Sequence, residues 1–590
     1  MCGIIGVVGK LPSQKLFEEA RDVLAHRGPD DKGIYIEPNE SVALGHRRLS
    51  IIDLSSAGHQ PFFSSDKRYV LTFNGEIYNY LEIREELRDF YNFKTNTDTE
   101  VLLAAYIKWG KHCLEKFNGM FAFAIWDRKE KKLFCARDRM NIKPFYYSLV
   151  GDTLYFASEI KALFKLGIKQ RANQDTIFIY LNYGFYDYDE KTFFEDIKRF
   201  PAGHFGYFRD GKLRIEKYWD LAETTSRSKG MSDREIEEQF KFLVADSIKL
   251  RFRSDVPVGV NLSSGLDSNS ILHYAYEVTN NKDIHTFSRC MRSEDYNECS
   301  LISQYLTAGQ KKFWNQCYFE PEEVFDLTDE MITIQDQPFG GITTVSNIRM
   351  NGRAKQKGIT VILEGQGGDE LLAGYRYYLP EHQKDLAGQK VNTTAERITG
   401  TRRGQDMTLP IDQGILNRDF VKEHIGNSPV LRNPTDSHLL NAQYRDITQL
   451  KIPRAQRFND HTSMNFSLEL RFPFLDHRIV EFCFWLDSKY KINGGDQKYL
   501  MRKTMSEFLP ANVKSKKKKA FGAIQGEWFR KYHRDKILNL LNSGSFKARP
   551  YWDHKKLSEK IQRFFQGEGN NSFWLWQAIN LELWFRKNID

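Results

Sequence analysis

No apolar run in this 590-residue sequence approaches the ~18–20 residues that a membrane-crossing helix needs. No charged-then-apolar leader opens it. Cysteine is scarce: Cys2, Cys113, Cys135, Cys290, Cys299, Cys317 and Cys483 make an odd seven without metal-type pairing. That fits free thiols in a reducing cytoplasm better than a disulfide framework. Charge of one sign is not in large excess either, 86 Lys and Arg against 77 Asp and Glu. No basic helix interleaves with aromatics, so nucleic acid is not an expected partner. The densest basic run, Lys514-Ser515-Lys516-Lys517-Lys518-Lys519, reads as a solvated patch. What remains, 41% hydrophobic and 28% charged, is the composition of an ordinary globular protein. Its length calls for two to four domains.

Met1-Cys2-Gly3 opens the chain, followed by the apolar, glycine-punctuated run Ile4–Gly9 that reads as a buried strand. Removal of Met1 would put a thiol and an α-amine on Cys2. An amine with a pKa of about 8 can serve as the base that turns the thiol into a nucleophile.

Strand character recurs at Val42–Gly45, Tyr69–Phe73, Met120–Trp126, Lys132–Ala136 and Thr153–Ala157, with helical spacing at Tyr80–Phe90 and Asp98–Lys108. Hairpin-like strands with few helices predict an α+β unit with antiparallel sheets. Four polar pieces interrupt it: His26–Asp30, Gly45–Ser50, Phe73–Asn79 and Asn96–Glu100. Singly each reads as a turn or cap, Asn74-Gly75 above all. Together with Cys2 they have a chemical logic. A thiolate attacking an amide makes an oxyanion that wants two neutral donors, and the Asn74 side chain and Gly75 N–H are adjacent. Arg48 can fork onto a carboxylate and Asp98 can pair an ammonium, as a free amino acid requires.

The polar, aperiodic stretch Ala222–Ser232 marks a crossover. Beyond it come a helix (Glu235–Ser247), a strand (Val256–Leu262), the loop Ser263-Ser264-Gly265-Leu266-Asp267-Ser268 and another helix. A second strand–loop–helix follows at Thr360–Leu363 and Glu364-Gly365-Gln366-Gly367-Gly368-Asp369-Glu370. Strand–loop–helix units predict a parallel α/β sheet whose strand ends open on one crevice. Hydroxyls, N–H groups and a helix N-terminus suit an oligophosphate, although no Walker lysine follows the glycines. Carboxylates beside glycines suit Mg²⁺ shared with phosphates. The segment Pro380–Gly414 is weakly patterned and reads as a lid or disordered loop. The tryptophans of Phe573–Trp576 and the run Leu581–Phe585 read as an amphipathic helix used for packing.

Cys2-Gly3-Ile4, His26–Asp30, Arg48–Asp53, Gln60-Pro61 and Asn74–Asn79 resemble the N-terminal-nucleophile glutaminase of class II amidotransferases. The loop Ser263–Ser268 resembles the pyrophosphate loop of ATP-pyrophosphatases. With Asn459–Met464, Glu469–Asp476, Gln497–Arg502 and Lys518–Gly522, the ordered whole resembles the asparagine synthetase family over nearly the entire chain. The resemblance implies an αββα sandwich glutaminase (1–210), a linker (211–232) and a parallel-sheet, ATP-dependent synthetase domain (233–590) with a helical C-terminal part. It implies that Cys2, with Asn74 and Gly75, hydrolyses glutamine, held by Arg48, Leu49, Ser50, Ile51, Ile52, Asn74, Gly75, Glu76 and Asp98. It puts ATP on Leu262, Ser263, Ser264, Gly265, Asp267, Ser268, Arg289, Glu364, Gly365 and Lys498, and Mg²⁺ on Asp267 and Asp369.

Two departures bear on the acceptor. Ser264 replaces a glycine of the pyrophosphate loop. Gln366 stands where the family pattern has a glutamate implicated in the acyl-adenylate step, and Glu364 where it has a serine or threonine. The expected acceptor is aspartate, the alternative a uronic acid of a bacterial surface polysaccharide; an inactive regulatory relative is the third reading. Expected partners are glutamine, the carboxylate acceptor and ATP, with no nucleic acid and no membrane. A homodimer is the assembly considered, and the cytoplasm is the expected location.

Overall fold

The computed structural model describes residues 2–37, 39, 41–291, 297–391, 393, 396–397, 413–510, 513, 522–569 and 571–590. The lysine run at 514–519 and the segment 398–412 lie outside the described residues.

Near-continuous apolar runs, buried on both faces in the central strands, build the first half. Its strands are β1 (Gly3–Val8), β2 (Asp31–Glu37), β3 (Val42–Arg48), β4 (Phe62–Phe63), β5 (Tyr69–Ile77), β6 (Gly119–Asp127), β7 (Lys132–Arg137), β8 (Tyr146–Val150), β9 (Thr153–Ala157), β10 (Lys198–Arg199), β11 (His204–Arg209) and β12 (Lys212–Lys217). They form two six-stranded sheets, β10-β8-β9-β1-β3-β2 and β12-β11-β7-β6-β5-β4, in which every pairing is antiparallel. In β1, Ile4 and Val8 join Ala122, Ala124 and Trp126 of β6 in the layer between the sheets. Ile5 and Val7 face outward, against α1 (Gln14–Asp22). On the far side Phe121, Phe123 and Ile125 of β6 pack beneath α2 (Tyr80–Leu87) and α3 (Asp98–Trp109). Period-two side chains thus feed two neighbouring layers from one strand, and the result is the expected αββα sandwich. The hairpin β11–β12 carries the second sheet to Lys217, past residue 210.

In the second half Ser232 caps α4 (Asp233–Arg251) in a capping box with Glu235. Five short strands, β13 (Val258–Asn261), β14 (Thr286–Cys290), β15 (Trp314–Tyr318), β16 (Val361–Leu363) and β17 (Glu469–Arg471), form a sheet in the order β15-β14-β13-β16-β17. All its pairings are parallel. Crossover helices such as α5 (Leu266–Thr279) and α6 (Ile452–Met464) cover it. The last helix, α7 (Phe573–Asn588), buries Trp574, Trp576 and Trp584. Trp584 packs on Phe193 and Phe194 of the first half, with ring centroids 5.6 and 5.2 Å away. The helix is buried around nearly its whole circumference from Phe573 to Phe585, so it is a core element and not an amphipathic one.

Other expectations need correction. Cys290 and Cys299 form a disulfide across Cα atoms 5.5 Å apart, while Cys2, Cys113, Cys135, Cys317 and Cys483 are free and buried. A count of cysteines does not reveal that the end of β14 and the helix Glu298–Tyr305 meet. The start of the supposed loop is helical over Tyr378–Leu386. Asn74-Gly75 is no turn but lies inside β5, paired with Ala122 and Phe121. Among the described residues no helix is long and apolar enough to cross a membrane.

Candidate active sites

Cys2 stands at the head of β1, facing β5 of the other sheet. Its N–H donates to Asn74 Oδ1 at 3.1 Å, and its carbonyl accepts from Arg27 Nε at 3.1 Å. Asn74 Nδ2 is buried with no hydrogen-bond partner among the described residues. It is a donor in reserve, as an oxyanion requires. A Cβ on Gly75 would lie 2.1 Å from the Met120 carbonyl, so only glycine lets β5 approach β6 here. Two side chains fix Phe73, the residue before Asn74: Gln60 Oε1 accepts its N–H at 2.7 Å, and His46 Nε2 donates to its carbonyl at 3.1 Å. Burial pushes the Cys2 thiol up, against the N-terminal positive charge and the Leu49 N–H, which pull it down.

Cys2, Arg48, Leu49, Ile51, Ile52, Gly75, Glu76 and Asp98 line one cavity of about 30 Å³. Ser50 sits at its edge, its N–H on Asp30 Oδ2 at 2.7 Å. The Arg48 fork is spent locally, with Nη1 on the Ser55 carbonyl at 2.7 Å and Nη2 on the carbonyls of Ile52 and Asp53. Asp98 begins α3 and accepts the Ile77 N–H at 2.9 Å. Burial raises its pKa to about 6. Glu76 is driven well above the usual carboxylate range by burial, then by Asp98 and Glu469.

Glu469 belongs to the other half of the chain, and so does much of the framework around Cys2. Arg27 is fully buried between Glu159 (2.8 Å) and Asp460 of α6 (2.8 Å). Arg471 of β17 brings Nη2 to 3.7 Å from Glu76 Oε1 while its carbonyl accepts the Glu364 N–H at 2.9 Å. Ser467 Oγ donates to the His26 carbonyl at 2.8 Å, and Asn118 Nδ2 to Asp476 at 2.8 Å. Sequence reasoning assigned no role to Arg27, Glu159, Asp460 or Arg471. The signal was present in the motifs at 26–30, 459–464 and 469–476, but their meeting is a tertiary event.

The second site lies at the carboxyl ends of the parallel strands. Leu262 follows β13, with its N–H on the Phe287 carbonyl at 2.8 Å. The next loop folds on itself: Ser263 N–H donates to Ser268 Oγ at 3.0 Å and Gly265 N–H to Ser263 Oγ at 3.1 Å, with Ser264 buried. Gly265 precedes the 14-residue α5, whose first turn carries Asp267. From a third segment Lys498 Nζ reaches Asp267 at 2.6 Å and Asp369 at 2.8 Å. Burial works against the Lys498 charge, but the two carboxylates outweigh it and hold its pKa above the ordinary value. Glycine makes this convergence possible. A Cβ on Gly368 would sit 2.4 Å from Asp267 Oδ1, and one on Gly374 2.1 Å from Asp369 Oδ1. Gln366 Nε2 donates to Glu370 Oε1 at 3.4 Å. Arg289, on β14, donates to Asn347 Oδ1 at 3.0 Å. Among the described residues no three His, Cys, Asp or Glu side chains could cage a metal. Two carboxylates converging on one cation position do suit a Mg²⁺ that completes its shell with phosphate and water.

The family described as glutamine amidotransferase domain matches residues 1–219. That described as asparagine synthase matches residues 239–586, more than half of the chain. The chain belongs to the asparagine synthase family. Membership makes it a glutamine-dependent ligase and implies the use of ATP. Within the family, Asparagine synthetase (glutamine-hydrolyzing) 1 of Bacillus subtilis is 28% identical, over 100% of this chain and 97% of its own. Asparagine synthetase (glutamine-hydrolyzing) 3 of the same organism is 29% identical over 92% of each. A relative from Methanocaldococcus jannaschii is 36% identical over 72% of this chain and 84% of its own.

Proposed function

We propose that the protein makes asparagine from aspartate, glutamine and ATP, releasing AMP and pyrophosphate. Cys2 attacks the side-chain amide of glutamine. The oxyanion is met by Asn74 Nδ2 and the Gly75 N–H, and water then frees glutamate from the thioester. The segment Arg48–Ile52, Glu76 and Asp98 surround the bound amino acid. Ammonia passes inside the protein to the second site, where the carboxylate has been activated as an acyl-adenylate. Leu262, Arg289, Glu364 and Gly365 border the nucleotide, and Ser263, Ser264, Gly265, Asp267 and Ser268 hold pyrophosphate. Asp267 and Asp369 would hold Mg²⁺, which neutralises phosphate charge. Lys498, displaced onto the phosphates, does the same.

The observation that carries this reading is the convergence of Asp267, Asp369 and Lys498, from three distant segments, in a chain that also joins Cys2 to Asn74. Its test is an acceptor screen with glutamine and MgATP, aspartate against nucleotide-linked uronic acids, scored by pyrophosphate release. Aspartate turnover at ~1 s⁻¹ or above is expected. Turnover only with a uronic acid would replace aspartate as acceptor, and Gln366 favours that second reading: its amide is a donor to Glu370 and takes no proton. No pyrophosphate with any acceptor would favour a silent relative.

A further inference from the structure

Forming an amide from an acyl-adenylate requires one proton to leave the attacking nitrogen, so a base is needed at the crevice. Four carboxylates stand on its two glycine loops: Asp267, Glu364, Asp369 and Glu370. Three are engaged. Asp267 and Asp369 are held by Lys498 at 2.6 and 2.8 Å. Glu370 is 1% exposed, and its Oε1 accepts from Tyr375 Oη at 2.9 Å and from Gln366 at 3.4 Å.

Glu364 is placed differently. It follows β16 directly, anchored by its own N–H to the Arg471 carbonyl, and is half-buried. Asn261, at the end of neighbouring β13, hydrogen-bonds its carboxylate, and Arg289 of β14 is the charged group that acts on it. Arg289 itself faces Glu298 and Asn347. The loop's next residue, Gly365, leaves room for Asp267, whose Cβ would lie 2.9 Å from a Cβ there. Gln366 lies two residues on, in the turn beyond β16, with its amide on Glu370.

We propose that Glu364 is the proton acceptor of the amidation step. This rests on the amidotransferase reading above. The C–N bond forms as the acyl C–O bond to AMP breaks, and AMP leaves with that electron pair on its phosphate. One proton of the attacking nitrogen passes to Glu364, leaving a neutral amide and a neutral carboxylic acid that returns the proton to water. Burial, outweighing Arg289, raises the pKa of Glu364 to about 7, where a carboxylate exchanges protons readily at neutral pH.

The test uses ammonium chloride as nitrogen donor and the screened acceptor that releases most pyrophosphate, and measures amide formed per pyrophosphate released. In the unaltered enzyme this ratio is expected to fall on the acid side of a midpoint near 7. Glu364→Gln is expected to lower the ratio ~10²-fold or more and to remove that limb. Glu364→Gln combined with Gln366→Glu is expected to recover part of it, because a carboxylate returns to the same loop. If Glu364→Gln lowers amide and pyrophosphate in step, leaving their ratio unchanged, Glu364 acts no later than adenylation and the proposal falls. It falls equally if the ratio in the unaltered enzyme is flat across pH 6 to 8, a readout that needs no variant to fold. Absence of pyrophosphate from every acceptor would overturn the amidotransferase reading itself, and this inference with it.

Discussion

Cys2 is held by groups from both halves of the chain, whereas Asp267, Asp369 and Lys498, all of the second half, hold one another. Around Cys2, Arg27 is clamped by Asp460, and Glu76 faces Arg471 and Glu469, all three contributed by the synthetase half. In the ATP crevice the contacts run among residues 263–268, 364–370 and 498. The glutaminase centre is therefore small, about 30 Å³ around a raised thiol, and part of its framework comes from its neighbour. The crevice is polar, and its three charged groups meet within the second half. A thiol whose mount reaches into the partner domain is positioned to respond to it.

The largest expected effect separates the two centres altogether. Cys2→Ala should lower glutamine-driven amidation about 10⁴-fold while ammonia-driven amidation stays within a few-fold. Full turnover with glutamine would remove Cys2 from the mechanism. Lys498→Met should cut pyrophosphate release by about 10²–10³-fold, and assays of glutamine hydrolysis without ATP should change little. If hydrolysis falls in step, the crevice is not self-contained.

Asp460→Asn tests the asymmetry from the other side. It leaves the buried Arg27 with Glu159 alone, which should cost about 3 kcal/mol in denaturant unfolding and slow glutamine hydrolysis, although the substitution lies in the synthetase half. Unchanged stability and hydrolysis would break the comparison. The smallest effect concerns His46. Burial holds its pKa down at about 3, against the Phe73 carbonyl, so the folded state binds fewer protons than the unfolded chain between pH 6.5 and 3. The stability this neutral histidine contributes is complete above pH 6.5 and is lost as pH falls through that window, with a slope of up to about 1.4 kcal/mol per pH unit. His46→Leu should flatten that part of the profile in acid-unfolding curves.

Much of this organisation could be read in advance, and the exceptions share a cause. Strands β5, β6, β7 and β9 were legible because a short apolar run is a local property of a strand buried on both faces. The cap read in Asn96–Glu100 was local too: it is Thr97, whose Oγ1 accepts the Glu100 N–H at 3.2 Å. Asn74-Gly75 misled, because its local preference for a turn is outweighed by a close approach to β6 that is visible only in the sheet. The disulfide between Cys290 and Cys299 misled because cysteine counting assumes no particular neighbours. The last helix was expected to show one apolar face and instead is enclosed, since the first half covers the side that would have faced water.

By itself the sequence determined the chemistry on offer: a thiol at Cys2, donors at Asn74 and Gly75, and two small-residue loops carrying acids. These are properties of residue types and short spacings. Only the tertiary structure decided how they are used. It set Arg27 between Glu159 and Asp460, brought Lys498 to both Asp267 and Asp369, and placed Glu364 between Asn261 and Arg289. Charges are tolerated in such interiors only when partners arrive from elsewhere in the chain. Separations of a hundred residues or more along the sequence carry no trace of which partner will arrive.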